Sequence, residues 1–292
     1  MGALENLIEE LEQDRSLDEL SCLRERIDAL DRLDAYHLDE ELPSAATESI
    51  ETETYRRARA ICAKLEACNF QLYQTIREEI QRGSRPDSLL QYVSKPGRVG
   101  DASGLASGEG YDYLDELISG VLRFERPDDL RVELAAEMVA YQPTPARHIF
   151  DLLRRAALTN RDVLVDLGSG LGHVPSLAAI CTGARCVGIE LEAAYIDCAR
   201  RSAQALNLNN VKFIQQDARE ADLSSGTMFY LYTPFRGSIL RTVLDSLRRE
   251  AQGREIRLCT YGPCTPTVAE EPWLVSAGTP KVDQIAVFSS RH

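Results

Sequence analysis

At 292 residues the chain exceeds the usual size of one compact domain, so two units, or one domain with a large appendage, are expected. Hydrophobic residues make up 44% of it, but no run nears the roughly 20 apolar residues of a membrane-spanning helix, and the acidic start MGALENLIEELEQD lacks the basic-then-apolar order of an export signal; a soluble, cytoplasmic protein with no membrane partner is expected. The net charge of −13 lies almost wholly in residues 1–150 (17 Lys+Arg, 31 Asp+Glu), against 16 and 15 in residues 151–292, and this disfavours a nucleic-acid partner, whose phosphates call for a basic face.

From Gly2 to about Tyr36, apolar residues recur at helical spacing (Leu4, Leu7, Ile8, Leu11, then Leu20, Leu23, Ile27, Leu30, Leu33), which predicts two amphipathic helices. A break at Leu42-Pro43-Ser44 precedes a third, from about Thr52 to Gln81, ending at Gly83. Because the pattern is not a strict heptad, a helical bundle is favoured over a coiled-coil dimer, although a homodimer fits the composition as well. Residues 83–110 are rich in Gly, Ser and Pro and read as a long irregular lid or linker; a helix begins at about Tyr113.

From Asp162 onward the texture changes to short β-rich runs alternating with helical ones: VLVD, CVGIE, VKFIQ, MFYLY, EIRLCT, WLVSA and QIAVFSS. This predicts an α/β fold, a doubly wound, mostly parallel seven-stranded sheet preceded by an all-helical N-terminal region. The short Gly-Thr-Pro turn between the last two runs makes them a hairpin, which places one antiparallel strand in the sheet. Eight cysteines show no CxxC pair and no zinc-like spacing with His, so they read as reduced, packed thiols, and no metal is expected.

The sharpest local signal is VLVDLGSGLGH at 163–173, a buried strand entering a glycine turn that opens a helix. Gly168, Gly170 and Gly172, with Ser169 between them, allow a tight turn and close approach of a ligand to backbone. The dinucleotide fingerprint GxGxxG would need a glycine where His173 stands. Asp166, two residues before the first glycine, would repel a pyrophosphate but suits a cationic ammonium, so the turn favours a zwitterionic amino-acid cofactor over a nicotinamide nucleotide. Glu190, followed by Leu191, ends the next strand about twenty residues later, where an acid accepts hydrogen bonds from ribose hydroxyls. Asp217 and Ala218 follow the third strand, where they could meet an adenine edge.

VLVDLGSGLGHV, VGIE and QQDARE together resemble the three cofactor motifs of class I S-adenosylmethionine-dependent methyltransferases, over residues 141–292. The approach Tyr141-Gln-Pro-Thr-Pro145 followed by a helix also resembles the non-SET histone-lysine methyltransferase family and its bacterial relatives. The resemblance implies S-adenosylmethionine as cofactor, with Asp166 and Gly168 near its methionine moiety, Glu190 at the ribose, Asp217 at the adenine, and Tyr141 and Thr144 closing over the methionine end. It further implies that Tyr232, Thr233, Pro234 and Phe235, after the fourth strand, face the transferred methyl. Many relatives carry Asn or Asp where Thr233 stands, so methylation of a nucleobase amine is disfavoured.

The expected organisation is a helical cap, substrate-shaping or dimerisation region over 1–125 and a cofactor-binding methyltransferase domain over 126–292. The expected activity is methyl transfer to a small molecule or a protein side chain; a fold of this kind that serves only as an inactive scaffold is the alternative. His148 and His173 are bases by residue type, but their sequence positions favour packing or polar contact. Tyr111, Tyr113 and Tyr232 could wall an acceptor or belong to the core.

Overall fold

A computed structural model describes residues 2–36, 50–84, 86–94, 111–125, 127 and 136–291. The break at Leu42-Pro43-Ser44 and residues 95–110 of the expected lid lie outside them. The chain divides into two compact units, Met1–Glu78 and Glu79–His292.

The first unit is helical. Helices α1 (Ala3–Gln13), α2 (Leu23–Asp34) and α3 (Ile50–Gln81) contribute Leu4, Leu7, Ile8, Leu11, Ala29, Leu33, Ala58 and Leu65 to a shared core, the bundle that the apolar spacing predicts. On α2 the buried face is rotated from the expected stripe, running through Leu23, Arg26, Ala29 and Leu33, while Leu20 falls outside the helix and is 37% exposed. The cause is Arg26, which is fully buried. Its guanidinium donates to Asn69 Oδ1 (2.5 Å), to the Leu17 carbonyl (3.3 Å), to the Leu20 carbonyl (3.3 Å) and to the Glu19 carbonyl, so the buried charge is spent on a turn that would otherwise lack donors.

The second unit begins with a departure from expectation. Asp87–Ser94, inside the segment read as irregular, is a helix, α4. Its two turns bury Leu89 and Tyr92 and tie Ser88 to the Glu79 carboxylate through its N–H (3.1 Å) and hydroxyl (2.5 Å). An amphipathic stretch this short, flanked by Gly, Ser and Pro, carries too few apolar repeats to stand out. Helix α5 (Tyr113–Leu122) opens on a reciprocal capping box between Asp112 and Asp115.

The sheet follows: β1 (Val163–Leu167), β2 (Arg185–Glu190), β3 (Val211–Gln215), β4 (Met228–Tyr232), β5 (Arg257–Tyr261), β6 (Leu274–Ser276) and β7 (Ala286–Ser290). Its order is β3-β2-β1-β4-β5-β7-β6. The first five strands run parallel, and β7 pairs antiparallel with both β5 and β6. All seven expected strands and the hairpin are present. Connecting helices α6 (Ala146–Ala156), α7 (His173–Thr182), α8 (Ala193–Ala205) and α9 (Gly237–Gly253) cover the sheet; a short α10 (Thr265–Ala269) was not foreseen from the sequence. Every residue of β1 is buried, as expected of a central parallel strand covered on both faces. The direction of sequence order reverses between β1 and β4, and that switch point opens a crevice at the strands' C-terminal ends. No helix among the described residues is long and apolar enough to cross a membrane.

Candidate active site

A cavity of about 620 Å³ occupies that crevice. Asp166, Gly168, Ser169, Glu190, Leu191, Asp217, Ala218, Tyr141 and Thr144 line it, together with all four residues of the segment after β4, Tyr232 to Phe235. Gly170 and Gly172 stand behind the lining, shaping the turn. Its size falls in the range of about 300–1,000 Å³ typical of ligand sites.

The glycine turn depends on left-handed backbone. Gly168, Gly170 and Gly172 have φ of 88°, 52° and 85°. A Cβ on Gly170 would lie 2.0 Å from Cε2 of Tyr141, and one on Gly168 would lie 2.3 Å from Cβ of Pro234. The turn therefore carries two layers of contact, one from the segment before α6 and one from the segment after β4.

Glu190 holds the turn from the next strand. Its Oε2 accepts the Gly170 N–H (2.9 Å), and its Oε1 accepts the N–H groups of Leu191 (2.7 Å) and Glu192 (2.9 Å). A carboxylate offers about four lone-pair sites, so three are used by backbone and one is left for a ligand hydroxyl. If that free site takes a ligand hydroxyl, Glu190→Ala should weaken ligand binding by about 1–3 kcal/mol or more, because this acceptor and the brace on Gly170 are lost together. Isothermal calorimetry with S-adenosylhomocysteine measures this, and unchanged affinity would reject the role.

Asp166 is only 4% exposed, and no hydrogen bond from the described residues reaches its carboxylate. Burial, reinforced by the charge of Glu190, pushes its pKa well above the ordinary carboxylate range. A buried acid without a donor beside a cavity suits an incoming cation. Ser169 Oγ is likewise buried without a hydrogen-bond partner. Asp217 caps the 3₁₀ turn Ala218–Glu220 and is paired with Arg219 (2.6 Å), which holds its carboxyl below the usual range.

The segment before α6 lies against the tail of β4. Val139 N–H donates to the Pro234 carbonyl (3.1 Å) and Arg236 N–H to the Glu137 carbonyl (2.8 Å), while the Glu137 carboxylate accepts from Ser238 Oγ (2.7 Å) and Ile239 N–H (3.1 Å). Thr144 Oγ1 pairs with the buried Tyr230 hydroxyl (3.1 Å). Thr233 has a left-handed φ of 40°, rare for a threonine. Its hydroxyl donates to the Tyr261 carbonyl (3.1 Å) and accepts the Cys264 N–H (3.0 Å), so it fixes the loop after β5. Phe235 is 6% exposed and packs into the sheet core, touching the cavity with one edge.

Tyr232 stacks on Tyr261 (4.8 Å between centroids), which stacks on His148 (4.4 Å). Burial lowers the pKa of His148. Tyr111 donates to the Pro143 carbonyl (2.7 Å), placing it beneath the segment before α6. Cys186, Cys198, Cys259 and Cys264 are buried, and burial pushes the Cys186 and Cys259 thiols up to about 12, as packed apolar groups would be. The sequence reading missed Tyr195, Glu192, Tyr230, Ile239 and Pro263, which also line the cavity. They sit on helix starts, mid-strand and a loop, with no motif spacing to mark them.

A family model described as a methyltransferase domain matches residues 158–229, the stretch from just before β1 through the first half of β4 that contains the glycine turn, Glu190 and Asp217. Over that stretch the chain is similar to methyltransferase domains. Among solved structures, an RNA methyltransferase from Salinibacter ruber in complex with S-adenosyl-L-homocysteine is 27% identical, over 51% of this chain and 92% of that one, with a TM-score of 0.42. A SAM-dependent methyltransferase from Thiobacillus denitrificans, also with S-adenosyl-L-homocysteine, is 26% identical over 42% and 51% of the two chains, with a TM-score of 0.34. The precorrin 8w decarboxylase of Methanobacterium thermoautotrophicum is 18% identical over 52% and 93%, with a TM-score of 0.39. No curated protein matches the sequence. The glycine cradle, where a Cβ on Gly168 or Gly170 would meet Pro234 or Tyr141, together with the buried acid fits a zwitterionic amino-acid cofactor such as S-adenosylmethionine.

Proposed function

We propose that the protein transfers the methyl group of S-adenosylmethionine to a small molecule or a protein side chain. The observation that carries this reading is a single cavity bordered by the cofactor motifs at one end and by Tyr232, Pro234, Ile239 and Pro263 at the other. The cofactor supplies an already activated methyl on a sulfonium. What is asked of the protein is alignment and desolvation of the acceptor.

In this reading Asp166 receives the ammonium group, Glu190 the ribose, Asp217 and Ala218 the adenine edge, and Tyr141 and Thr144 cover the methionine end. Gly168, Ser169, Gly170 and Gly172 form the cradle, and Tyr232, Thr233, Pro234 and Phe235 form the acceptor wall. Thr233 contributes to that wall through backbone position, because its hydroxyl is spent on the loop after β5. Among the described residues Arg236 is the one Lys or Arg on the cavity lining, and residues 1–150 carry 31 Asp+Glu against 17 Lys+Arg, which supports a small-molecule or protein acceptor over RNA. A buried acid without a donor is costly to keep in a fold that only scaffolds, which speaks against the inactive alternative.

We further propose that residues 1–125 act as cap or dimerisation region to a methyltransferase domain over 126–292. The described residues that line the cavity fall between 138 and 263. A chain lacking residues 1–78 should therefore keep its affinity for S-adenosylhomocysteine within about threefold, while acceptor turnover or self-association falls. Calorimetry and light scattering read the two effects, and loss of cofactor affinity would reject this division.

The acceptor class is tested by incubating the full chain with radiolabelled S-adenosylmethionine and separate pools of small metabolites, peptides and RNA. Label in the first or second pool is expected; label in RNA alone would overturn the proposed acceptor class.

A further inference from the structure

We propose that His173 is a positioning residue, whose Nδ1 takes the phenolic proton of Tyr141 and so latches the segment before α6 over the glycine turn. The proposal rests on the methyltransferase reading for its functional consequence, but the latch itself is a property of the protein alone.

His173 occupies the position where a dinucleotide turn would carry its last glycine, at the start of α7. Its Nδ1 lies 3.2 Å from the Tyr141 hydroxyl. Phe124 packs on the imidazole at 4.5 Å between centroids and 57°, and Tyr195 packs on the Tyr141 ring at 4.8 Å and 46°. Both rings are thus held from a second side. The Tyr141 ring lies so close to Gly170 that no Cβ fits between them.

Proton positions follow from the surroundings. Burial lowers the pKa of His173 to about 4, so near neutral pH the imidazole is uncharged and one ring nitrogen is a bare acceptor. Burial raises the Tyr141 pKa, so the phenol keeps its proton and offers it to Nδ1 in the tautomer protonated at Nε2. A histidine engaged in this way is a poor general base. Its use is to fix the angle of a ring that forms part of the cavity wall.

The other ties of the segment do not replace this one. Val139 N–H to the Pro234 carbonyl and Thr144 Oγ1 to Tyr230 hold its two ends, and Tyr111 holds Pro143. The Tyr141 ring between them depends on His173 for its hydroxyl and on Tyr195 for its face. The interaction couples the start of α7, which belongs to the cofactor turn, to the segment that would close over the bound cofactor.

Two measurements on the full chain test the latch. Hydrogen exchange of residues 138–145 without ligand reads the segment directly, and calorimetry with S-adenosylhomocysteine reads its consequence. His173→Leu and Tyr141→Phe should each speed exchange and raise Kd by about tenfold, the scale of one buried hydrogen bond with its partner left unpaired. The double variant should be no worse than either alone, because both remove the same interaction. His173→Asn, whose side-chain oxygen can stand where Nδ1 stood, should recover most of the loss. Additive losses in the double variant, unaltered exchange, or an Asn variant as impaired as Leu would overturn the proposal. Should His173→Leu fail to fold, Tyr141→Phe and His173→Asn still decide it. If the unaltered protein takes up no S-adenosylhomocysteine, the methyltransferase reading fails, while exchange still judges the latch.

Discussion

Replacing Gly170 with valine is expected to abolish cofactor binding while leaving far-ultraviolet circular dichroism close to that of the parent. The residue sits at φ 52°, where a β-branched side chain costs on the order of 1–2 kcal/mol in backbone strain alone. The larger effect is steric. A Cβ there would meet the Tyr141 ring at 2.0 Å and 2.4 Å, so the ring must leave its place between Gly170 and Tyr195. The Gly170 N–H also donates to Glu190, so a twisted turn releases the carboxylate assigned to the ribose. Three parts of the proposed cradle are thereby disturbed by one substitution, at a position outside the packed sheet core. Affinity for S-adenosylhomocysteine should fall by more than about a hundredfold, beyond the loss of any single hydrogen bond. Retained affinity would show that the turn does not form the cradle.

Asp166→Asn should give a different pattern, greater stability with poorer binding. Burial, then the charge of Glu190, raises the Asp166 pKa in the folded protein. In the unfolded chain the same carboxyl ionises near its ordinary pKa of about 3.9. As pH rises past that value the unfolded state loses its proton first, and the folded state loses relative stability until the raised folded pKa is passed. Asparagine keeps the size and removes the titration. The melting temperature at neutral pH should therefore rise, and its decline with pH above the ordinary carboxylate range should flatten. Affinity for S-adenosylhomocysteine should drop by about 5- to 150-fold, because the ammonium group loses an ionic partner. In the unaltered protein binding should strengthen as pH climbs through the raised pKa, since the ammonium favours the ionised acid. A melting temperature lowered by Asp166→Asn would contradict the electrostatic account.

The sheet was legible because its strands obey a simple rule. Buried parallel strands read as short apolar runs between helical stretches, and all seven runs from VLVD to QIAVFSS became strands. The turn could be placed because Gly168, Gly170 and Gly172 mark backbone that few other residues accept. Where a single side chain overrides a pattern, the reading failed. Arg26 took a core position on α2 because carbonyls of a neighbouring turn and Asn69 satisfy it, and those partners are not adjacent in sequence. Helix α4 was hidden by its Gly- and Pro-rich flanks.

The site shows the same division. Residues at strand ends, such as Asp166, Glu190 and Asp217, announced themselves by order and spacing. Thr233 was read for its side chain, yet its hydroxyl holds Tyr261 and Cys264, and what it lends the cavity is a strained backbone turn. Tyr195 and Tyr230 come from a helix start and the middle of a strand, and only the packing of α8 and β4 brings them to the cavity. Long-range contacts of this kind leave no local signature.

Calorimetric titration of the full chain with S-adenosylhomocysteine at neutral pH probes the central claim most directly. One molecule bound per chain, with affinity lost in Gly170→Val, is the predicted result. Absence of any heat from S-adenosylhomocysteine, or saturable binding of NADH in its place, would contradict it.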